Sequence, residues 1–158
     1  MKKYELVALG GTFDILHSGH LELLRKGFGI SYKVIIGLTS DDLAKEKGKY
    51  LIHDYAQRYA TLEDTIQRNF PNAKYAVSKL ENDFGPAVLE KEVEALVVSE
   101  ETAFQGNELN LLRRQRNLPD VDVIVVPMVL AKDGKRISTS RIKISEIDSD
   151  GNILTVDK

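Results

Sequence analysis

Two glycines and two histidines stand close together near the start of the chain. Gly10 and Gly11 directly follow the apolar residues 6–9. Paired glycines after a buried strand let the chain turn sharply and let a ligand approach main-chain N–H groups. His17 and His20 are three residues apart where a helical pattern begins, so both rings face the first helical turn, whose dipole favours phosphate. This combination indicates a nucleotide site.

A second cluster suited to binding anions lies near the other end of the chain. Ser138, Thr139 and Ser140 are followed by Arg141, and a last helix or turn is predicted over about residues 138–145. Hydroxyl groups and free N–H groups at the start of a helix form an anion site, and an arginine adds positive charge. Short motifs often occur by chance, but two such clusters in one chain favour phosphate binding.

The elements that must position these clusters alternate along the chain. Runs rich in β-branched residues predict strands, and helical patterns fall between them. The predicted strands are 5–9, 33–38, 74–78, 95–99 and 122–127. The predicted helices are 18–29, 40–47, 54–69 and 103–117. The alternation predicts an α/β fold: a single domain over 1–158 with a doubly wound, Rossmann-like parallel sheet of about five strands, flanked by helices.

Each candidate cluster comes directly after a predicted strand. In a doubly wound sheet, ligands bind outside the carboxyl ends of the strands, where the strand order reverses. The segments expected to meet at this edge are 10–20, 39–47, 99–102 and 128–141. Their convergence predicts one active site.

The motifs resemble those of a known superfamily. The letters GGTFDILHSGH at 10–20 resemble the HxGH signature of the nucleotidyltransferases, and KRISTSR at 135–141 resembles their ISSxxxR-like phosphate loop. The block at 97–114, with its SEET sequence followed by asparagines and arginines, looks like the phosphopantetheine adenylyltransferases of the archaeal and eukaryotic type. The resemblance spans about residues 6–144.

This resemblance implies a reaction in coenzyme A biosynthesis. ATP would give its adenylyl group to 4′-phosphopantetheine, with dephospho-coenzyme A and pyrophosphate as products. The nucleophile is a phosphate already ionised at neutral pH, so no general base is needed. Catalysis consists of holding two anions together and stabilising the charge that develops on the phosphoryl oxygens. Mg²⁺ is expected as the cofactor, carried mainly by ATP with few protein ligands.

Four residues are expected to take part in the chemistry. Thr12 would hold the incoming phosphate, and His17 and His20 would donate hydrogen bonds to the α- and β-phosphate oxygens. The resemblance also implies a mobile lysine, for which Lys45 is selected while Lys47 stays open. The alternative for any lysine in this charged run is a solvated surface position.

The residues expected to bind the substrates lie after the predicted strands or on the helix that follows. Asp14 is interpreted as structural, accepting main-chain N–H bonds of the turn that follows it, because a carboxylate beside a triphosphate would repel it. No protein ligand for a metal is predicted. The expected binding residues are Gly10, Gly11, Thr12, Phe13, Gly19 and His20 for the phosphates, Ser99, Glu100, Thr102, Asn110 and Arg113 for the nucleoside and the acceptor, and Ser138, Thr139, Ser140 and Arg141 for the β- and γ-phosphates.

Composition limits the possible partners and location. The chain has 158 residues, a formal net charge of −2 and no cysteine. Near-neutral charge argues against a nucleic-acid binder, which needs a basic surface, and the lack of cysteine excludes disulfides and thiolate chemistry. The sequence shows no signal-peptide pattern and no run near the roughly 20 apolar residues of a membrane span. We therefore expect a cytoplasmic protein, favoured as a monomer, without nucleic-acid or membrane partners.

Alternative functions share the same motif. A cytidylyltransferase acting on glycerol phosphate or a choline-type phosphate, or an adenylyltransferase that forms FAD, would use the same HxGH site. The block at 99–110 favours the phosphopantetheine enzyme. A nucleotide sensor without turnover is a further alternative, but it needs no donors for a transition state, so His17, His20 and 138–141 argue against it. A fragment of an aminoacyl-tRNA synthetase does not fit the neutral charge balance.

Overall fold

The computed structural model describes residues 2–85, 87, 90–127, 129, 130 and 132. Within these residues, five strands form one parallel sheet in the order β3-β2-β1-β4-β5. The strand order reverses between β1 and β4, so the predicted doubly wound α/β fold is confirmed. The strands are β1 (Tyr4–Gly11), β2 (Ser31–Thr39), β3 (Tyr75–Leu80), β4 (Ala95–Ser99) and β5 (Asp122–Val126).

The helices of the described residues are α1 (Ser18–Ile30), α2 (Asp41–Glu46), α3 (Tyr55–Asn69) and α4 (Gln105–Gln115). The helix starts follow from capping side chains. Ser40 Oγ accepts the N–H of Leu43 at 3.0 Å to begin α2, and Asp54 forms a capping box with Gln57 to begin α3.

The fourth helix is shorter than the predicted 103–117. The chain first makes a 3₁₀ turn over Glu100–Thr102, in which the hydroxyls of Ser99 and Thr102 lie 3.1 Å apart. At the other end, Asn117 takes the left-handed conformation with φ 59°, which ends a helix and which asparagine tolerates better than most residues.

Both faces of the sheet are covered, as continuous apolar strands predict. On the first face, α1 and α3 pack their buried side chains, such as Leu24 and Leu62, against the side chains of β1 and β2. On the second face, α4 contributes Leu109, which packs with Ala8 and Val98. Successive residues of β1 point to opposite faces, so the end of this strand lies between the two cores.

Some predictions fall outside the described residues. The predicted helix at 138–145 and the residues Ser138, Thr139, Ser140 and Arg141 are among them. The single-domain prediction over 1–158 therefore stays a prediction. None of the helices in the described part of the chain is both long and apolar enough to cross a bilayer.

Candidate active site

The two histidines of the motif are held at the start of α1 by their own main chain. His17 Nδ1 accepts the N–H of Gly19 at 3.1 Å, and His20 Nδ1 accepts the N–H of His17 at 3.3 Å. The rings stack with centroids 3.9 Å apart. A Cβ at Gly19 would lie 2.9 Å from the His17 ring, which accounts for glycine between the histidines. Since each Nδ1 is an acceptor, each neutral ring carries its proton on Nε2.

His20 is neutral at physiological pH. Desolvation lowers the pKa of His20 to about 3, and repulsion from His17 and Lys49 adds to this effect. A hydrogen bond with the Ile15 backbone acts in the opposite direction. The ring therefore carries no full positive charge.

The loop before α1 is supported from below by Phe13. This residue is 2 % exposed, and its ring meets the His20 ring edge-on at 4.9 Å. A Cβ at Gly11 would lie 3.2 Å from the Phe13 ring. Phe13 also has φ 51°, a left-handed conformation that is rare for a bulky side chain and marks local strain. With its side chain in the core, Phe13 has only its backbone to offer a ligand.

Asp14 anchors a loop that is distant in sequence. Its carboxylate accepts the N–H groups of Ile52 and His53, both at 3.0 Å, and lies 3.1 Å from His53 Nδ1. The expectation that Asp14 accepts main-chain N–H bonds is confirmed, and two of the donors lie in the segment before α3. His17 caps the following turn, at the start of α1.

Two lysines of the described residues, Lys47 and Lys49, line the cavity, and Lys49 contacts Thr12. Its Nζ donates to Thr12 Oγ1 at 2.9 Å, and both residues line the cavity described below. The turn at Gly48, which has φ 73°, brings the chain back toward β1 after the short helix α2. Lys45 remains on the exposed surface of α2 and does not line the cavity, which corrects the choice of this residue from the sequence.

Lys47, the other lysine left open, stands at the mouth of the same cavity. It forms an ion pair with Asp83, which lies in the segment after β3, and both residues contribute to the cavity lining. The pair is partly exposed, so solvent screening leaves it little net stability.

A cavity of about 150 Å³ opens at the carboxyl ends of β1, β2 and β4. Gly10 and Gly37 are paired neighbours in the sheet register, and a Cβ at Gly37 would lie 2.7 Å from the Leu80 side chain. The missing side chains thus let Leu80 pack closely against the sheet and leave space above it. Prominent lining residues are Gly10, Gly11, Thr12, Lys49, Thr102 and Gln105.

The residues predicted at the end of β4 lie at this same edge. Thr102 lines the cavity, Ser99 contacts Thr102 through its hydroxyl at 3.1 Å, and Glu100 is exposed on the 3₁₀ turn. The structure therefore brings Thr102 to the same cavity as Gly10, Gly11 and Thr12, as the topology predicts.

Asn110 and Arg113 are directed elsewhere, which corrects their assignment as ligand-binding residues. Asn110 pairs with the main chain of Val121, accepting its N–H at 2.7 Å and donating to its carbonyl at 3.1 Å. Arg113 is 0 % exposed and donates to the carbonyls of Pro119, Ala87 and Glu90 at 2.6–2.9 Å. The reason is geometric: α4 starts near the cavity and runs away from it, so only its first turn reaches the site.

Arg58 was missed from the sequence. It is 1 % exposed and donates to the carbonyls of Thr12, Thr39 and His53, at 2.9, 2.7 and 3.2 Å. It also donates to Asp41 at 2.7 Å, which lowers the pKa of that carboxyl group. The signal was available: Arg58 lies four residues before Leu62, on the apolar stripe of α3.

A comparison with known families identifies this arrangement. Residues 8–144 match the sequence model of the family described as cytidylyltransferase-like. The chain belongs to the cytidylyltransferase-like family. This match covers both the described HxGH segment and the 138–141 cluster.

Among members of the cytidylyltransferase-like family, the chain is similar to archaeal proteins named phosphopantetheine adenylyltransferase, which confirms the resemblance seen in the sequence. One from Methanothermobacter thermautotrophicus is 41% identical over 97% of this chain and 92% of its own length. One from Pyrococcus furiosus is 40% identical over 96% of this chain and 94% of its own length. A crystal structure of a protein of unknown function from Archaeoglobus fulgidus has a TM-score of 0.69 and 28% identity, covering 80% of this chain and 89% of that one.

Proposed function

We propose that the protein transfers the adenylyl group of ATP to 4′-phosphopantetheine, giving dephospho-coenzyme A and pyrophosphate. The observation that carries the proposal is the near full-length similarity to archaeal proteins named for this activity. The stacked histidines beside the Thr12–Lys49 contact supply a site with suitable chemistry.

The proposed reaction is an in-line displacement at the α-phosphorus of ATP. A phosphate oxygen of the acceptor forms the new bond, the bond from the α-phosphorus to the bridging oxygen breaks, and pyrophosphate leaves with that electron pair. Thr12 and Lys49 are proposed to hold the acceptor phosphate. His17 and His20 donate from Nε2 to the α- and β-phosphate oxygens, where negative charge increases in the transition state. Gly10, Gly11 and Gly19, together with the Phe13 backbone, let the phosphates approach the main chain.

Magnesium brought by ATP would supply charge neutralisation for the leaving pyrophosphate. Among the described residues, no three of His, Asp or Glu are grouped so as to hold a metal ion. The buried carboxylate nearest the motif, Asp14, is engaged by the N–H groups of Ile52 and His53. The chain's own contribution is therefore proposed to be hydrogen-bond donors and lysine charge.

The pantetheine arm is proposed to enter the cavity over the second face of the sheet. Its lining includes the apolar side chains of Leu80 and Phe84 together with the hydroxyl-bearing Thr102. Ser99 and Glu100 are proposed to contribute to nucleoside and acceptor recognition from the end of β4. Residues 138–141 are proposed to hold the β- and γ-phosphates, on the basis of their sequence.

The proposal extends to partners and location. ATP, 4′-phosphopantetheine, dephospho-coenzyme A and pyrophosphate are the proposed ligands, and we propose a cytoplasmic monomer that binds neither nucleic acid nor membranes. Support for the absence of nucleic-acid binding comes from the net charge of −2, which provides no basic surface excess.

The experiment is a measurement of pyrophosphate release with a two-by-two choice of substrates. ATP and CTP are each combined with 4′-phosphopantetheine and with glycerol 3-phosphate. Release is expected with ATP and 4′-phosphopantetheine alone. Release with CTP and glycerol 3-phosphate would replace the proposed acceptor and nucleotide by those of a cytidylyltransferase, and no release in any combination would contradict catalysis.

A further inference from the structure

Arg58 ties together three segments that leave the carboxyl ends of the strands. Thr12 follows β1, Thr39 ends β2, and His53 closes the loop of residues 47–54, here called the Lys49 loop. The guanidinium group donates to one carbonyl in each segment, over 2.7–3.2 Å. A planar group with five fixed donors is suited to such a three-way connection, which a lysine cannot reproduce.

These segments carry the groups assigned to the acceptor phosphate. Thr12 presents its Oγ1 from the residue whose carbonyl Arg58 holds, and Lys49 contacts that Oγ1 at 2.9 Å. The far end of the Lys49 loop is fixed twice, by Asp14 at the His53 N–H and by Arg58 at the His53 carbonyl. The separation between Thr12 and Lys49 therefore depends on a guanidinium group that lines no part of the cavity.

We propose that Arg58 is a positioning residue for adenylyl transfer: it sets the Thr12–Lys49 pair in the place where the acceptor phosphate must sit for in-line attack. This inference rests on the proposed function. Arg58 acts through Thr12 and the Lys49 loop and touches no substrate. Because a displacement of about 1 Å in a reacting group can cost about 10²-fold in rate, losing this connection reduces turnover more than it weakens ATP binding.

The chain contains a matched control. Arg113 is equally buried and also donates to several main-chain carbonyls, but its acceptors lie in segments that lead into β4 and β5. One of them, Ala87, also lines the cavity proposed to take the pantetheine arm, so an effect of Arg113→Ala on activity would concern the KM of the acceptor and not kcat. Both substitutions remove a buried guanidinium group, so they share the general loss of stability.

The experiment compares Arg58→Ala, Arg58→Lys and Arg113→Ala with the wild type. The temperature is one at which circular dichroism shows that each protein is folded. Turnover, the KM of each substrate and the dissociation constant of ATP are measured. For Arg58→Ala, kcat is expected to fall by about 10²-fold while the ATP dissociation constant changes by at most about threefold. Millimolar guanidinium chloride, far below unfolding concentrations, is expected to restore part of this kcat, and the restored kcat should saturate as its concentration rises. Sodium chloride at the same concentrations is expected to restore none of it.

The outcomes separate positioning from stability. Unchanged kcat in folded Arg58→Ala and Arg58→Lys would overturn the proposal, and so would a rise in the KM of ATP with kcat retained. If Arg58→Ala does not fold, Arg58→Lys decides alone: about a tenfold or greater loss of kcat at retained ATP affinity supports positioning, and retained kcat contradicts it. Absence of pyrophosphate release by the wild type would instead contradict the proposed function.

Discussion

Arg58 and Arg113 make the same kind of hydrogen-bond network in two different parts of the molecule. Each is almost fully buried on a helix, and each donates to at least three main-chain carbonyls. The acceptors of Arg58 lie in segments that leave β1 and β2, whereas those of Arg113 lie in segments that lead into β4 and β5. Since ligands of a doubly wound sheet bind at the carboxyl ends, the first network borders the site and the second stabilises the scaffold.

The largest effect is expected at the carboxyl edge, from His20. His20→Asn keeps an acceptor for the His17 N–H but removes the donor at Nε2, whereas His20→Gln places an amide donor near Nε2. His20→Asn is expected to lower kcat by about 10²–10³-fold, as when one oxyanion donor is removed, with ATP affinity largely kept. Steady-state kinetics and ATP titration check this. His20→Gln should retain more activity, and equal activity of His20→Asn and wild type would remove His20 from the chemistry.

Arg113→Ala is expected to act on stability and leave kcat unchanged. Its removal leaves several buried carbonyls without their donor, so the free energy of unfolding should fall by about 3 kcal/mol. Urea unfolding measures the loss, and turnover of the folded variant tests the second part. A kcat reduced as strongly as in Arg58→Ala would remove the distinction between the two networks.

Lys49 provides a smaller effect and a direct control. Lys49→Ala removes the charge-assisted contact that we propose with the acceptor phosphate. Such a contact is worth about 1.5–3 kcal/mol, so kcat/KM for the acceptor should fall by about 10- to 150-fold. Lys45→Ala changes the same residue type a few positions away on the exposed surface, and it should stay within about twofold of wild type. Kinetics with varied 4′-phosphopantetheine would contradict the assignment if Lys45→Ala had the larger effect.

The fold could be predicted because local signals agree with the topology. The β-branched runs, the capping residues Ser40 and Asp54, and the glycines at the end of β1 each act over a few residues, and all recur in the structure. The two errors at the fourth helix, its 3₁₀ start and its end at Gln115 instead of Asn117, concern helix boundaries, where local preferences compete.

The site was less predictable because it depends on long-range direction. Lys45, Asn110 and Arg113 have the right chemistry, but a one-dimensional pattern does not show that α2 ends before Lys49 or that α4 runs away from the cavity. Arg58 was missed because its partners are main-chain carbonyls of three separate segments. Every residue has a main-chain carbonyl, so residue types in the sequence do not indicate such a partner. Only the place of Arg58 on an apolar stripe distinguished it.

A pH dependence of stability is also expected, and it belongs to the carboxyl edge. The pKa of His20 is about 3 in the folded protein and near 6.5 when unfolded, so between these values the unfolded chain binds a proton that the folded chain does not. Stability therefore rises with pH across this window, by at most about 1.4 kcal/mol per pH unit from this group, and its contribution is flat above about pH 7. Urea unfolding between about pH 4.5 and 7 isolates it from carboxyl groups, which titrate lower. The free energy of unfolding of His20→Asn should rise less steeply with pH than that of the wild type. Arg113→Ala should keep the wild-type slope at lower stability. Identical slopes in His20→Asn and wild type would mean that His20 takes up a proton in the folded site as readily as in the unfolded chain.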